Sequence, residues 1–174
     1  FLASAAGDAI PALFEEKLTE EAGSSGLMFS TTVRGDARFS DGTEATAEDV
    51  VRALAHDPIF TSRATASFRD GRVHLTLFAP NTRFDLFLTM CGMLYRETAG
   101  GLVGTGAYMI GPSDKDVVRL VRNPHARTPS RIESIEVRHY PVDAQTGRPV
   151  ELLNALEKGE VDLFVETVVE PDGR

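Results

Sequence analysis

Phe39-Ser-Asp-Gly-Thr43, followed at once by Thr46-Ala-Glu-Asp49, is the stretch that leaves this chain the least conformational freedom. Asp41 can accept bonds from the backbone ahead of it, and Gly42 takes a positive φ at little cost, so the first five residues read as a tight turn. Thr46 and Asp49 have the spacing of a capping box, with Asp in the usual Glu place. The Thr46 hydroxyl accepts from the amide three residues on, and the Asp49 carboxylate reaches back. Val50, Val51 and Leu54 then give the helix one apolar face, which Asp57-Pro58 closes. A strand must arrive at this turn and a helix must leave it.

The remainder alternates in the same way. Residues 27–33, rich in Phe, Thr and Val, read as a strand after a turn at Gly23–Gly26. Residues 72–78 place Val73, Leu75 and Leu77 on one side, a half-buried strand ended by Pro80. The spacing predicts a mostly buried helix over 83–94 and strands over 117–122 and 132–140. In the last of these Ile135, Val137 and His139 share a side, and Ser134, Glu136 and Arg138 face away. Residues 150–158 form an amphipathic helix presenting Leu152, Leu153 and Leu156, with Pro149 near its first turn and Gly159 at C′. A strand over 161–165 follows. Residues 11–18 fit either a short helix or irregular backbone. Strands and helices mixed in this way predict an α/β or α+β lobe, a mixed sheet flanked by helices.

The 174 residues suit one domain, or one lobe of a larger body. The formal net charge of -8 argues against nucleic acid and against a bare membrane surface as partners. Arg119, Arg122, Arg127 and Arg131 cluster locally, but acidic residues follow closely, and they read as solvated charge. No run approaches the ~18 apolar residues of a membrane span. Cys91 is the single cysteine, so no intrachain disulfide forms and the redox compartment stays open. Its neighbours Leu88, Met90, Met93 and Leu94 mark it as a buried small hydrophobe and not a reactive thiolate. Both ends of the sequence read as cut from a longer protein.

Chemistry finds little support. His56, His74, His125 and His139 are scattered without the spacing that metal ligation favours, so no metal site is expected. Turn and capping roles account for Asp41 and Asp49, beside Glu48, without acid–base work. Ser24, Ser25 and Ser30 lack a nucleophile elbow. Gly104-Thr-Gly106 is too short to cradle phosphate and has no Lys-Ser/Thr after it. No cofactor and no enzyme activity are expected.

Three stretches together resemble the family 5 extracellular solute-binding proteins, the group of dipeptide- and oligopeptide-binding proteins. Residues 38–51, Arg-Phe-Ser-Asp-Gly-Thr-Glu-Ala-Thr-Ala-Glu-Asp-Val-Val, are similar to the family's F-x-D-G-T-P-hydrophobic-T-A-E-D-V signature, and Phe39, Asp41, Gly42, Thr43, Thr46 and Asp49 carry it. Val103-Gly-Thr-Gly-Ala-Tyr108 resembles its V-G-T-G-P-Y turn, in which Gly104 and Gly106 are expected to bend the backbone where a side chain would clash. Arg122-Asn123-Pro124, then Ile132-Glu-Ser-Ile-Glu-Val137, then residues 153–162 with Gly159 and Asp162, resemble R-N-P … I-x-x-I … L-x-x-G-E-V-D. The resemblance runs over about residues 11–165.

What the resemblance implies is a periplasmic-binding-protein-like type II architecture, of which residues 1–174 are a partial domain holding most of lobe I. The second lobe of the same protein is missing. The implied function is the substrate-binding component of an ABC-type importer, closing by a hinge on a peptide or similar small solute and docking on the permease. Thr105 and Tyr108, in the turn near the interlobe region, are the ligand-binding candidates. The location implied is periplasmic or extracellular, with a membrane-anchored parent. Two departures stand out. His125-Ala126 follow Arg-Asn-Pro where the family has aromatics, and the stretch between Val51 and Val103 is short. They keep open a sensing or scaffold domain with a degenerate site, cytoplasmic if fused to a regulator; a hydrolase ranks last.

Overall fold

Antiparallel pairing joins all the strands in the computed structural model of the chain, which describes residues 2–3, 9–10, 12–91, 94–128, 130–143 and 147–164. β1 (Leu2–Ala3) pairs with β2 (Ala9–Ile10). β3 (Thr19–Glu20) and β4 (Met28–Thr31) come next, then helices α1 (Ala47–His56) and α2 (Pro58–Thr61). The hairpin β5 (Ala64–Arg69) and β6 (Arg72–Leu77) completes a four-stranded sheet in the order β3-β4-β6-β5. After α3 (Phe84–Leu88), β7 (Tyr95–Thr98) and β8 (Gly101–Gly104) form a two-stranded hairpin. β9 (Tyr108–Ile110), β10 (Val117–Arg122) and β11 (Ser134–Arg138) form a three-stranded sheet in the order β11-β10-β9, and α4 (Val150–Glu157) follows.

Local chemistry explains the elements. Asp70 and Gly71, at φ 52° and 75°, make the two-residue β5–β6 turn, the doubly positive geometry that matches strand twist. Val73, Leu75 and Leu77 alternate into the core, as their spacing requires, against Phe29 and Thr31 of β4. The Asp49 amide donates to Thr46 Oγ1 at 3.2 Å and the Thr46 amide donates to Asp49 Oδ2 at 2.9 Å, closing the capping box of α1. α1 lies on β5 and β6 and buries Ala47 and Val50. Beside it Phe84 stacks on Phe29 at 5.8 Å and on Phe87 at 5.5 Å, with Phe60 at 6.5 Å, an aromatic centre for the larger core.

Thr31 is fully buried in that core, and its Oγ1 has no hydrogen-bond partner. A stranded hydroxyl pays its desolvation without return. Thr31→Val, which keeps the shape, is therefore expected to raise stability by about 1 kcal/mol in urea denaturation. Any loss of stability would contradict this account.

The fold class expected from the sequence is present: sheets and helices mixed, as α+β. The single mixed sheet is not. The strands form separate antiparallel sheets because short turns join them, and parallel pairing needs a long crossover. Residues 12–18 are not helical. Phe14 is buried and bridges Val33, and Arg34 donates its amide to Leu13 O at 3.1 Å, so this segment runs extended beside the end of β4. The helix expected over 83–94 shrinks to α3. Thr89 caps it by donating its hydroxyl to Leu86 O, and Met90 turns outward while Leu94 returns to the core; residues 92–93 lie outside the described part. No strand forms over 161–164, where no described strand pairs with the segment, and Leu163 is left 80 % exposed; Val165 lies outside the described residues.

Candidate functional site

The tight turn at Phe39–Thr43 is the first part of the site. The Phe39 amide donates to Thr43 O at 2.8 Å and the Gly42 amide to Phe39 O at 2.9 Å. Asp41 Oδ1 accepts from the Thr43 amide at 2.9 Å and from the Thr43 hydroxyl. These bonds from Thr43, and the Arg96 guanidinium beside them, hold the Asp41 carboxyl below its ordinary range. Gly42 sits at φ 83°, so its conformation demands glycine, and a Cβ there would come within 3.2 Å of His125 Nε2 and press on that ring.

Arg96, on β7, clamps this turn. Its guanidinium carbon lies 4.3 Å from the centroid of the buried Phe39 ring, a cation–π contact. The same group donates to Thr43 Oγ1 and, at 3.3 Å, to Asp41 Oδ2. A lone arginine far along the chain gave no sequence signal for this role.

The Gly104–Tyr108 stretch passes on from β8 to β9. The Ser40 amide donates to Gly104 O at 2.9 Å, and the Thr105 amide donates to Leu94 O at 3.2 Å. Asn123, 2 % exposed, grips the next residues. Its Nδ2 donates to Gly106 O at 2.7 Å and its amide to Ala107 O at 2.9 Å, while Oδ1 accepts from the His125 amide at 2.9 Å. Pro124 is the residue between them, exposed at the bend. Thus the first two sequence motifs and the Arg-Asn-Pro part of the third, far apart in the chain, meet at one joint between the larger core and the three-stranded sheet.

The structure separates the two ligand candidates. Thr105 is half-buried and its hydroxyl makes no hydrogen bond among the described residues. The Tyr108 hydroxyl is already engaged, bonded to Ser130 Oγ and donating to Ile132 O at 3.2 Å, so it ties β9 to the approach to β11. Gly104 has no positive φ, and a Cβ there would stand at an ordinary 3.5 Å from Leu94 O, so no clash fixes this glycine. The tightly packed one is Gly111, where a Cβ would meet Val121 Cγ1 at 3.0 Å, and no motif flagged it. Gly159 takes φ 69° after α4 and donates its amide to Leu156 O at 3.0 Å. Asp162 is exposed beyond it.

The remaining chemistry-bearing groups are dispersed. His56 Nδ1 meets Arg52 O at 2.8 Å and His74 Nδ1 meets Glu21 Oε1 at 2.6 Å. Among the described residues no three His, Cys, Asp or Glu side chains group as metal ligands, and no helix is long and apolar enough to cross a membrane. Cys91 is half-buried with Sγ 3.7 Å from Phe87 O. Burial, aided by the Asp57 carboxylate, pushes its thiol up from 9.0 to about 11. Native Cys91 is therefore expected to react with iodoacetamide at pH 8 about a hundredfold more slowly than in urea. Because the folded protein holds this proton more tightly, stability should fall as pH rises from about 9 to 11. Equal rates in the two states would refute the burial argument.

A family model described as bacterial extracellular solute-binding proteins, family 5 middle, matches residues 9–172. No curated protein matches the sequence. Among solved structures, NikA from Brucella suis in complex with Fe(III)-EDTA is 20 % identical, with a TM-score of 0.66 over 92 % of this chain and 36 % of its own. NikA from Staphylococcus aureus in complex with Ni(L-His)2 is 16 % identical, with a TM-score of 0.68 over 92 % of this chain and 36 % of its own. Listeria monocytogenes OppA bound to peptide is 17 % identical, with a TM-score of 0.66 over 92 % of this chain and 38 % of its own. At these identities the likeness is one of fold. The chain spans little more than a third of the length of each of these proteins.

Proposed function

The chain belongs to the family 5 bacterial extracellular solute-binding proteins, and from that premise we propose that it is one lobe of the substrate-binding component of an ABC-type importer for peptides or similar small solutes. Proteins of this family are binding components and not enzymes. The observation that carries the reading is the motif joint. Ser40, Arg96 and Asn123 fasten the crossing between the larger core and the three-stranded sheet from both sides. A lobe that rocks against a partner lobe needs such a stiff seam, so that motion concentrates at the hinge and not within the lobe.

In this reading the partners are the second lobe of the same protein, a small-molecule or peptide ligand and the permease, and the location is periplasmic or extracellular. Closure is driven by the ligand's greater affinity for the closed form, and that difference is what the permease detects. Thr105, with its free hydroxyl beside the joint, is the better of the two candidate ligand contacts. Three neighbours are described as holding Fe(III)-EDTA, Ni(L-His)2 and a peptide, so a carboxylate-bearing solute is the first class to try.

The test is a thermal-shift screen of the full-length protein against di-, tri- and oligopeptides, sugars and nickel chelates. A ligand specific to the folded state adds about 2.7 kcal/mol at a hundredfold excess over its Kd, a shift that is easily read. A shift with one class establishes a solute binder and identifies its substrate. A well-folded protein that shifts with none overturns the importer reading and leaves a sensing or scaffold domain with a degenerate site.

A further inference from the structure

Away from the motif joint, two adjoining hollows run along the loop between β6 and α3. The larger, of about 500 Å³, is walled by Arg63, Phe78, Asn81 and Phe84. The smaller, of about 120 Å³, shares Asn81 and Phe84 and adds Lys17 and Asp85. Phe84 is buried and stacked on Phe29 and Phe87, so it fixes the floor without offering a free ring face. Phe78 stands above it 62 % exposed, a ring open to whatever enters.

The polar groups around this floor are unequal. Arg63 and Lys17 are exposed, and the side chain of neither makes a hydrogen bond or ion pair among the described residues. That is notable in a chain with 26 acidic and 18 basic residues, where a cation has carboxylates to spare. Asn81 Oδ1 accepts from the Arg83 amide at 3.0 Å, which leaves its amide hydrogens to donate outward. The Ser62 hydroxyl is spent on Ile59 O at 2.8 Å. Asp85, the one carboxylate among the residues that line the two hollows, belongs to the Lys17 end and accepts from the Leu86 amide at 2.8 Å. The Arg63 end thus offers donors with no competing acid.

We propose that this trough binds a small aromatic carboxylate, its ring against Phe78 and its carboxylate on Arg63 and Asn81. A guanidinium fork takes a carboxylate through two parallel, charge-assisted bonds. The exposed Phe78 ring offers offset stacking to a ligand ring. The volume lies within the range usual for small-molecule pockets. The site is separate from the motif joint and does not depend on the importer reading.

The test is an amide NMR titration of the chain with 3-phenylpropionate and with its uncharged amide, 3-phenylpropionamide. Saturable shifts confined to residues 17–18, 62–63 and 77–85 are expected, with the acid bound about tenfold more tightly than the amide. Arg63→Gln should remove that tenfold preference, while Arg69→Gln, at a residue paired with Asp70 on the hairpin tip, should leave it intact. No saturable shift by about 10 mM, shifts centred elsewhere, equal affinity for acid and amide, or an equal effect of both variants would each overturn the site.

Discussion

Phe39→Ala is expected to lower the unfolding free energy by about 3–5 kcal/mol. The ring is fully buried, so truncation removes its transfer free energy and leaves a cavity that the neighbours fill only in part. A second loss is added here. Arg96 sits over that ring and from there reaches Thr43 and Asp41, so without its platform the clamp on the turn loosens as well. Urea denaturation followed by circular dichroism gives the number. Phe68→Ala, at an exposed ring on β5, serves as the comparison and should cost under about 1 kcal/mol. If the two variants cost the same, the turn is not the anchor described above.

Asn123→Ala is expected to cost about 2–3 kcal/mol, although the side chain is small and polar. The loss comes from what it leaves behind: Gly106 O without its donor and the His125 amide without its acceptor. Asn123→Leu should do no better, because filling the volume restores neither bond. Asn123→Asp keeps the acceptor but sets a carboxylate against Gly106 O. Its stability should therefore recover in part as pH falls, once the protonated acid can donate again. A pH-independent Asn123→Asp variant would show that the bond to Gly106 contributes little.

Sequence pattern revealed the parts of this fold whose causes are local. The Thr46–Asp49 box, the alternation of Val73, Leu75 and Leu77 and the glycine ending α4 all act within a few residues, so spacing alone displays them. Periodicity failed where long-range pairing decides. Residues 11–18 fitted helix and irregular backbone equally, and the bridge from Phe14 to Val33 decides for the latter; the apolar residues at 163–164 have strand character but pair with no described strand. The motifs marked the joint but not how it is held. Asn123 was visible as part of Arg-Asn-Pro, whereas Arg96 and the His125 ring against Gly42 gain their meaning only through three-dimensional proximity. The lining of the Phe78–Phe84 trough likewise comes from separate segments whose cations lack any shared pattern.

The two-residue Asp70-Gly71 turn bears on how the molecule reaches its native state. β5 and β6 match residue for residue from Arg69–Arg72 out to Ala64–Leu77, so the hairpin closes through contacts near in sequence and can zip in about 1–10 μs. β4 must then cross some forty residues, including α1, to lie against β6, and that closure carries the larger entropic cost. The order of events follows from this asymmetry: the hairpin is the template, and the capture of β4 is the step that sets the folding rate.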